Sequence, residues 1–413
     1  MGRFLVMDVV FYGSSLNYDQ GGSGNYQELK KITRWDGRQY TLVSRYALRY
    51  SLLETGRKLG LWEVADGSKF VDSGTGDKTV IQPAVDLLLS GEILLYPEFD
   101  LFGYLVTSLT PPQASRTSPP TKLSHAISMT PFTYDTQFAG NIGLAKRRLP
   151  VKGKMDINLF TIEEHETYYL YSLVVDVDEI GKNEVYLSAK DDKWSVTVEE
   201  QEDSYTIIIS GDKAKKNNVA GKYQIPKKRE YSLKDSAGRS LNTVIETKIE
   251  PIIDSNNKPI VYKITHNLKS KDSDVDLKKE RLKQLIRAIL NLQREIKGRP
   301  AIITPASLVI LGIYKNTPYK TFKDKIQLVD EYTEEEYDEI ERETKDGKEI
   351  IRVKHRISKS RKPVFTISGL QGVEIKELSE SEVLGLADKL FGTEDKLEEV
   401  KVFKDPSVEV RLK

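Results

Sequence analysis

The stretch RFLVMDVVFY, residues 3–12, decides the fold, because its apolar side chains alternate as they do in a β-strand. One face of this predicted strand is wholly apolar and consists of Leu5, Met7, Val9 and Phe11, while Asp8 and Tyr12 lie on the other face. TYYLYSLVVDVDEIG, residues 167–181, predicts a second strand of the same kind. Its apolar face consists of Tyr169, Tyr171, Leu173, Val175 and Val177.

Two amphipathic helices are predicted around these strands. YTLVSRYALRYSLLETG, residues 40–56, is expected to form one helix that ends near Gly56 or Gly60. LKKERLKQLIRAILNLQREIKG, residues 277–298, has a helical stripe that includes Leu282, Leu285, Ile286, Ile289 and Ile296, and Gly298 is its predicted cap. ITPASLVILGIY, residues 303–314, predicts one more strand. The order strand, helix, strand, helix, strand is that of an α+β, ferredoxin-like or RRM-like fold.

Two long excursions and a tail interrupt or extend this skeleton. The first, residues 62–166, has a helical half around PAVDLLLSGEILLY and then a loop rich in Pro, Ser and Thr. The second, residues 182–276, is β-rich, and WSVTVEEQEDSYTIIISG predicts a hairpin within it. The tail contains the acidic segment DEYTEEEYDEIE, residues 330–341, and a predicted hairpin turn at residues 346–347.

Composition excludes several classes of protein. At 413 residues the chain can hold about two or three cores, and its net charge of +1 excludes a globally basic nucleic-acid binder. The absence of cysteine excludes disulfides, thiolate metal sites and a cysteine nucleophile. The four histidines are scattered, and no nucleotide-binding or hydrolase motif is present, so we expect no metal or cofactor. With no signal peptide or long apolar run, we expect a soluble, cytoplasmic protein that does not bind membranes.

One segment concentrates positive charge. Between residues 30 and 49 stand Lys30, Lys31, Arg34, Arg38, Arg45 and Arg49, and the aromatic residues Tyr18, Tyr26, Trp35, Tyr40 and Tyr46 lie among or beside them. Arg45 and Arg49 share a helix face without an acidic neighbour, which predicts either a solvated face or an anion site. The preceding loop GSSLNYDQGGSGN is either a flexible turn or a backbone cradle. Basic groups interleaved with aromatic rings are typical of a single-stranded RNA track.

Five segments in chain order carry a family resemblance: SSLNYDQGGSGNYQELKKITRWDGRQYTLVSRYALRYSL, EFDLFGYL, KLSHAIS, DTQFAGNIGLAKR and HETYYLYSLVVDVDEIG. Together they closely resemble the Cas-seven backbone subunit of type I CRISPR Cascade complexes, nearest to the type I-B, Cst/DevR branch. The resemblance covers most of residues 1–181 and the helix and strand within residues 277–314. Residues 182–276 form a longer insertion than this family leads us to expect.

The resemblance implies an RRM-like palm with helical fingers and a thumb hairpin. The implied divisions are palm 1–61, fingers 62–130, thumb 131–166, palm strand 167–181, β-rich insertion 182–276, palm 277–325 and C-terminal extension 326–413. It also implies a non-catalytic subunit of a ribonucleoprotein that works in antiviral defence or RNA-guided targeting. Copies would polymerise head-to-tail along a guide crRNA, which pairs with target DNA, beside other Cascade subunits.

The resemblance places guide-RNA contacts on three parts of the chain, and the pattern of the residues themselves adds the thumb. The loop after the first strand supplies Ser15, Asn17 and Tyr18, and the first helix supplies Ser44, Arg45 and Arg49. Ser124 and His125 precede the thumb. Phe138, Lys146, Arg147 and Arg148 lie on the thumb, in a segment too short to bury its apolar residues in its own core. Lys30, Lys31, Arg34 and Arg38 complete the predicted RNA-binding set.

Alternatives remain at several of these positions. His125 is also suited to a structural hydrogen bond, and the basic residues 146–148 to a solvated turn. Asp36 in RWDGR stands where a related, RNA-cleaving type III backbone subunit has its aspartate, but Asp–Gly is also an ordinary turn. A guide-processing endoribonuclease would share the RRM-like fold, yet it needs an acid–base group against the 2′-hydroxyl, which the scattered histidines do not indicate.

Overall fold

The structure is a computed structural model that describes the chain except for residues 1, 20–24, 74–78, 107–108, 110–118, 156, 158, 192–193, 273, 297–298, 302–305 and 346–347. Three features of the sequence analysis therefore lie outside the described residues: the glycine cluster of the first loop, the Gly298 cap and the turn at residues 346–347. None of the helices in the described part is long and apolar enough to cross a membrane.

The chain begins with the predicted strand, now β1 (Arg3–Ser14), and continues through β2 (Tyr26–Gln27), β3 (Lys31–Thr33), β4 (Gln39–Val43) and helix α1 (Arg45–Lys58). The single helix predicted over residues 40–56 is wrong at its start. Tyr40, Thr41 and Val43 have side chains that favour strands, and the helix begins only after Ser44, whose Oγ accepts a hydrogen bond from the Ala47 N–H at 3.2 Å. At the other end, Gly60 lies in the left-handed region with φ of 69°.

Residues 62–130 contain short elements: β5 (Phe70–Ser73), β6 (Val80–Pro83), α2 (Val85–Leu89), α3 (Pro97–Asp100), β7 (Thr121–Leu123) and β8 (Ala126–Ser128). A 3-10 turn over Glu92–Leu95 joins the two helices. Residues 131–166 then form β9 (Thr136–Gly140), α4 (Ile142–Lys152) and β10 (Leu159–Glu163). The second predicted strand follows as β11 (Glu166–Asp176).

The insertion is β-rich as predicted. It comprises β12 (Lys182–Ser188), β13 (Lys190–Asp191), β14 (Trp194–Glu200), β15 (Ser204–Ser210), α5 (Asp212–Lys216), β16 (Gly221–Pro226), β17 (Lys228–Lys234), β18 (Ser240–Ile253) and β19 (Pro259–Ser270). The predicted hairpin is confirmed, since β14 pairs antiparallel with β15. Leu88 and Ile93 from the helical excursion pack into one core with Val185, Ile207 and Ile245 of the insertion. The two excursions therefore stabilise each other.

The chain returns through α6 (Leu277–Leu290), β20 (Arg294–Ile296), β21 (Arg299–Ala301) and β22 (Leu308–Lys315). The helix predicted over residues 277–298 is too long. It ends at Leu290, and Asn291 is its cap. Tertiary hydrogen bonds hold the residues that follow: the Gln293 N–H donates to Thr55 Oγ1 at 3.0 Å, and Arg294 Nε donates to the Leu16 carbonyl at 2.6 Å. Ile296 therefore belongs to β20 and not to the helical stripe.

The tail consists of β23 (Ile326–Lys345), β24 (Lys348–Ile367), β25 (Ile375–Glu377), α7 (Glu380–Asp388), β26 (Leu397–Lys404) and β27 (Glu409–Leu412). The predicted hairpin is confirmed in its strands, because β23 pairs with β24 from Ile326 and Ile367 out to Lys345 and Lys348.

The central sheet has the strand order β25-β26-β22-β1-β11-β8-β4-β3, and β7 also pairs with β11. β1 lies antiparallel between β11 and β22. Helices α1, α6 and α7 cover one face, where the main core includes Met7, Leu48, Tyr171, Leu285 and Leu386. The base of the β23–β24 hairpin covers the other face, where Phe365 packs with Val10 and Leu170. The first strand is therefore buried on both faces.

Candidate nucleic-acid interface

The N-terminus of helix α1 lies beside the loop that follows β1. Ser44 caps the helix, and its backbone N–H donates to Asn17 Oδ1 at 2.9 Å. Asn17 in turn donates from Nδ2 to the Tyr18 carbonyl at 3.3 Å. The first turn of the helix contains no acidic residue. A helix N-terminus carries a partial positive charge, so this end of α1 favours an anion.

His125 is fixed against this helix end. Its Nδ1 accepts a hydrogen bond from the Arg45 backbone N–H at 2.9 Å, so that nitrogen carries no proton. Burial lowers the pKa of His125, and the positive charges of Arg45 and Lys323 lower it further. His125 is therefore a neutral residue that positions the helix start, which agrees with the structural alternative for this histidine. The Arg45 side chain is exposed and stacks over Tyr46, 5.0 Å from the ring centre.

Lys323 is a residue of this interface that the sequence analysis missed. Its Nζ donates to Ser124 Oγ at 2.8 Å and to the His125 carbonyl at 2.9 Å. Burial lowers the pKa of Lys323 to about 8, against the attraction of Asp8. Lys323 lies far along the chain in TFKDK, which matches no motif, and only the pairing of β1 with β11 and β22 brings it here.

The hairpin of β3 and β4 extends the basic surface. A cavity of about 740 Å³ is lined by Arg34, Trp35 and Lys323 together with β8. Arg34 stacks over Tyr40 at 5.0 Å, and Trp35 is 92% exposed. We call Arg34, Arg45 and Lys323, together with the ring of Trp35, the cationic track.

Asp36 forms part of the hairpin turn. Its carboxylate accepts hydrogen bonds from Tyr40 Oη at 2.7 Å and from Arg38 Nε at 2.9 Å, and Gly37 has the positive φ that the turn requires. The Tyr40 hydrogen bond, together with those from Arg38, lowers the pKa of Asp36 to about 2. Asp36 and Arg38 thus stabilise the turn, as the ordinary Asp–Gly interpretation predicts, although Arg38 is exposed.

Arg49 does not share the environment of Arg45. Its Nη2 donates to the Glu98 carbonyl at 2.7 Å and to the Gly103 carbonyl at 3.1 Å, and its guanidinium stacks over Phe102 at 5.6 Å. The prediction that both arginines await an anion is therefore corrected for Arg49, whose charge is matched by backbone carbonyls of the segment after α2. Both arginines line a cavity of about 350 Å³ whose wall also includes Lys122.

Three predicted RNA contacts are structural instead. Ser15 is buried with its Oγ bonded to Glu164, and Tyr18 is buried with its hydroxyl 3.3 Å from the Glu163 carbonyl. Lys31 Nζ lies 2.7 Å from Glu163 Oε2 in a nearly buried ion pair. These contacts hold the loop after β1 and the first residue of β3 against Glu163, at the end of β10, and against Glu164 beside it. Lys30 remains half-exposed, with its Nζ 3.6 Å from Asp19 Oδ1.

The predicted thumb exposes apolar residues. Helix α4 buries Ala145 alone among its residues, whereas Ile142, Leu144, Leu149 and Val151 are exposed. Phe138 on β9 is 68% exposed. Lys146, Arg147 and Arg148 are exposed on the same helix. The segment combines apolar and basic side chains on a surface that its own chain does not cover in the described structure.

No metal-binding cluster forms in the part of the chain that is described. It contains no group of three His, Asp or Glu side chains suited to hold a metal ion. His165 Nδ1 lies 2.7 Å from Thr41 Oγ1, and His266 is buried with Nε2 3.0 Å from the Leu89 carbonyl. These histidines and His125 make separate local contacts.

Comparison with known families identifies the class of the chain. It is a CRISPR-associated protein, and the family model that matches it over residues 5–337 is described as the CRISPR-associated negative auto-regulator DevR/Csa2. The chain therefore belongs to the DevR/Csa2 family, which confirms the DevR resemblance of the sequence motifs. A search of curated protein sequences found no match.

Solved structures with some similarity come from CRISPR assemblies. A chain of a "CRISPR RNA-guided surveillance complex, pre-nicking" has 10% identity and a TM-score of 0.38, with 77% of this chain and 80% of that chain covered. A chain of a "CRISPR RNA-guided surveillance complex" has 8% identity and a TM-score of 0.32, with coverage of 77% and 78%. A chain of a "Type IV-B CRISPR Complex" has 15% identity and a TM-score of 0.25, with coverage of 42% and 73%.

Proposed function

We propose that this chain is a non-catalytic backbone subunit of a type I-B CRISPR effector. Copies polymerise along a guide crRNA and hold it for pairing with target DNA, together with other subunits of the complex. The observation that carries the proposal is the thumb. A helix that buries only Ala145 and exposes apolar and basic side chains together is suited to a partner with apolar surfaces and phosphates. A guide RNA bound to a neighbouring copy offers both.

The cationic track supports the binding of a nucleic-acid backbone. The exposed guanidiniums of Arg34 and Arg45 provide charges suited to phosphates, and Trp35 provides a stacking surface. Contacts of this kind bind RNA without reading its sequence, which is what a subunit that follows arbitrary guides requires.

The palm of this subunit is RRM-like in our proposal. The strand order β22-β1-β11-β8, antiparallel at each step, with helices α1 and α6 on one face, supports that assignment. Residues 62–130 with the insertion 182–276 form the fingers side of the subunit, because the two share a core. Residues 131–166 are the thumb.

A non-catalytic role is supported by Asp36 and His125. Asp36 is held by Tyr40 and Arg38 within a turn, and His125 uses Nδ1 to fix helix α1. In this role, cutting of the target belongs to a separate enzyme.

The decisive experiment has two readouts. RNA extracted from the purified protein should be a discrete small species when sequenced. Mass photometry with RNAs of increasing length should show added subunits in regular steps. Co-purification of heterogeneous RNA, together with a constant number of subunits on all RNA lengths, would refute the proposal.

A matched pair of variants assigns the assembly to the thumb. Phe138→Ser with Leu144→Ser should abolish the steps, while Ile252→Ser with Ile253→Ser removes comparably exposed apolar side chains from the insertion and should leave them intact. Equal loss in both variants would show that general surface polarity, and not the thumb, controls assembly.

A further inference from the structure

The β23–β24 hairpin forms an arm with two open edges. Its base is held by Phe365 and Ile367, which pack on the face of the central sheet opposite the helices, and β24 pairs with β27 over Val364–Ile367. In the described structure β23 is an outer strand of this sheet, in the order β23-β24-β27. Residues 330–345 and their partners extend beyond the base, which at roughly 3.3 Å per residue is about 50 Å. The family match ends at residue 337, so β24 lies beyond it.

The two strands of the arm carry opposite charge. Residues 326–345 contain nine acidic and two basic residues, whereas residues 348–367 contain seven Lys and Arg and one acidic residue. Within the hairpin this arrangement makes favourable cross-strand contacts, such as the 2.9 Å ion pair of Arg356 with Glu339. It also leaves one open edge acidic and the other basic.

Open strand edges are sites where another strand can add by main-chain hydrogen bonding. Two β23 edges would bring acidic strands together, and two β24 edges would bring basic strands together, so both symmetric pairings are opposed by like charge. The pairing of a β23 edge with a β24 edge repeats the charge match of the hairpin itself. Charge therefore selects a head-to-tail contact over a two-fold one.

We propose that the arm is an assembly surface for a second copy of this chain, in which the acidic β23 edge of one copy pairs antiparallel with the basic β24 edge of the next. The contact is heterologous and repeats from copy to copy, as an open filament requires. This inference rests on the proposed function for its context, since a polymer along RNA places successive arms side by side. It adds a contact that neither the palm nor the thumb supplies.

An apolar row on the arm strengthens this inference. Ile340 and Val353 are direct cross-strand partners, and Ile351 lies two residues from Val353, so the three side chains share one face of the ribbon. They are 57%, 55% and 55% exposed in the single chain. Ribbons joined edge to edge align these rows and reduce their exposure. An isolated two-stranded ribbon, in contrast, is marginally stable in water.

The absence of cysteine permits a direct cross-linking test. Glu339→Cys and Lys354→Cys are made in separate full-length chains, mixed in equal amounts and treated with a short bis-maleimide. The experiment is run with long RNA and also at high concentration without RNA. We expect the mixed product, which joins the cysteine on β23 of one chain to the cysteine on β24 of another, to be the most abundant. It should exceed both homotypic products, which join two β23 cysteines or two β24 cysteines. Ile252→Cys mixed with Lys354→Cys is the control and should give only background.

A charge exchange separates pairing between chains from pairing within the hairpin. Glu331→Lys/Lys362→Glu, Glu334→Lys/Lys359→Glu and Glu341→Arg/Arg352→Glu exchange three direct cross-strand pairs and leave the ion pair of Arg356 with Glu339 in place, so the hairpin keeps its matched charges. The net charge of both edges then approaches zero. For the cross-linking assay this variant carries cysteine at Asp338 or His355 instead. We expect its product between the two strands to fall to the homotypic level.

The outcomes distinguish this inference from the proposed function. Homotypic products that equal or exceed the mixed product, or a mixed product that survives the charge exchange, would overturn the inference even if RNA-templated steps are present. Absence of those steps in the wild-type protein would refute the proposed function. The cross-linking without RNA still decides whether the arms pair.

Discussion

Arg45→Ala and Arg49→Ala should affect different properties, although the two arginines stand one turn apart on helix α1. Arg45 is exposed and its side chain contacts only Tyr46 in the described structure, so its removal should change the free energy of unfolding by less than about 0.5 kcal/mol. If it binds a guide phosphate, its removal should weaken RNA binding by about 1–3 kcal/mol. A plot of the logarithm of the binding constant against the logarithm of the salt concentration should become less steep. Its slope should fall by roughly 0.7 for one lost phosphate contact on single-stranded RNA.

Arg49→Ala should instead destabilise the protein. It removes two charge-assisted hydrogen bonds, to the carbonyls of Glu98 and Gly103, and the stacking contact with Phe102. Each such bond contributes on the order of 1.5–3 kcal/mol, and part of this is recovered by water that reaches the carbonyls. We expect a loss of about 2–4 kcal/mol, with little change in the salt slope of RNA binding.

The assay pairs two measurements on the same samples. Hydrogen exchange of residues 97–103 and 45–58 reports local stability, and fluorescence anisotropy with labelled RNA at several salt concentrations reports binding. Arg49→Lys is the control, because lysine keeps the charge but lacks the planar fork that reaches two carbonyls, and it should remain destabilised. If Arg49→Ala leaves exchange unchanged and lowers the salt slope as Arg45→Ala does, then Arg49 is a phosphate ligand and the structural assignment is refuted.

Four further predictions follow from other contacts. Burial lowers the pKa of Lys323 to about 8. If RNA binds the charged form of this lysine, the affinity for RNA should fall by roughly tenfold between about pH 7 and pH 9, and Lys323→Arg should remove this pH dependence in anisotropy titrations. Asp36→Ala should leave metal-dependent cleavage of complementary RNA at the wild-type level, and the loss of regularly spaced cuts in this variant would place the protein among RNA-cleaving subunits. Phe138→Ala should change the melting temperature little, because the side chain is 68% exposed, yet native mass spectrometry should show shorter assemblies on RNA. Although burial opposes it, hydrogen bonds from Lys31, Tyr26 and the Leu29 N–H lower the pKa of Glu163. The stabilisation that the charged Glu163 carboxylate provides should therefore be present above pH about 4.5 and lost as the pH falls through the lowered pKa. Glu163→Gln should destabilise the protein by about 1–3 kcal/mol at neutral pH and progressively less in acid, as measured by chemical denaturation.

The failures of sequence reasoning have a common physical origin. Ser15, Tyr18 and Lys31 have the residue types of an RNA-binding loop, but all three contact Glu163 or Glu164, which lie more than a hundred residues away in sequence. Arg49 has no acidic neighbour along its helix, and its partners are backbone carbonyls, which no side-chain pattern records. Lys323 contacts His125 across the sheet. Each error concerns a partner that is distant in sequence.

The sequence by itself determined the strands β1 and β11, the β-rich insertion and the CRISPR-associated family, because alternation along a strand and ordered motifs are local properties of the chain. It also determined the charge segregation between the two strands of the arm. Tertiary structure alone decided where α1 starts and α6 ends within their patterns, since the pairing of β4 with β8 and the contacts of Gln293 and Arg294 compete with helical propensity. It alone decided that Arg45 stays exposed while Arg49 donates to the carbonyls of Glu98 and Gly103 and Lys31 pairs with Glu163, because these partners are distant in sequence.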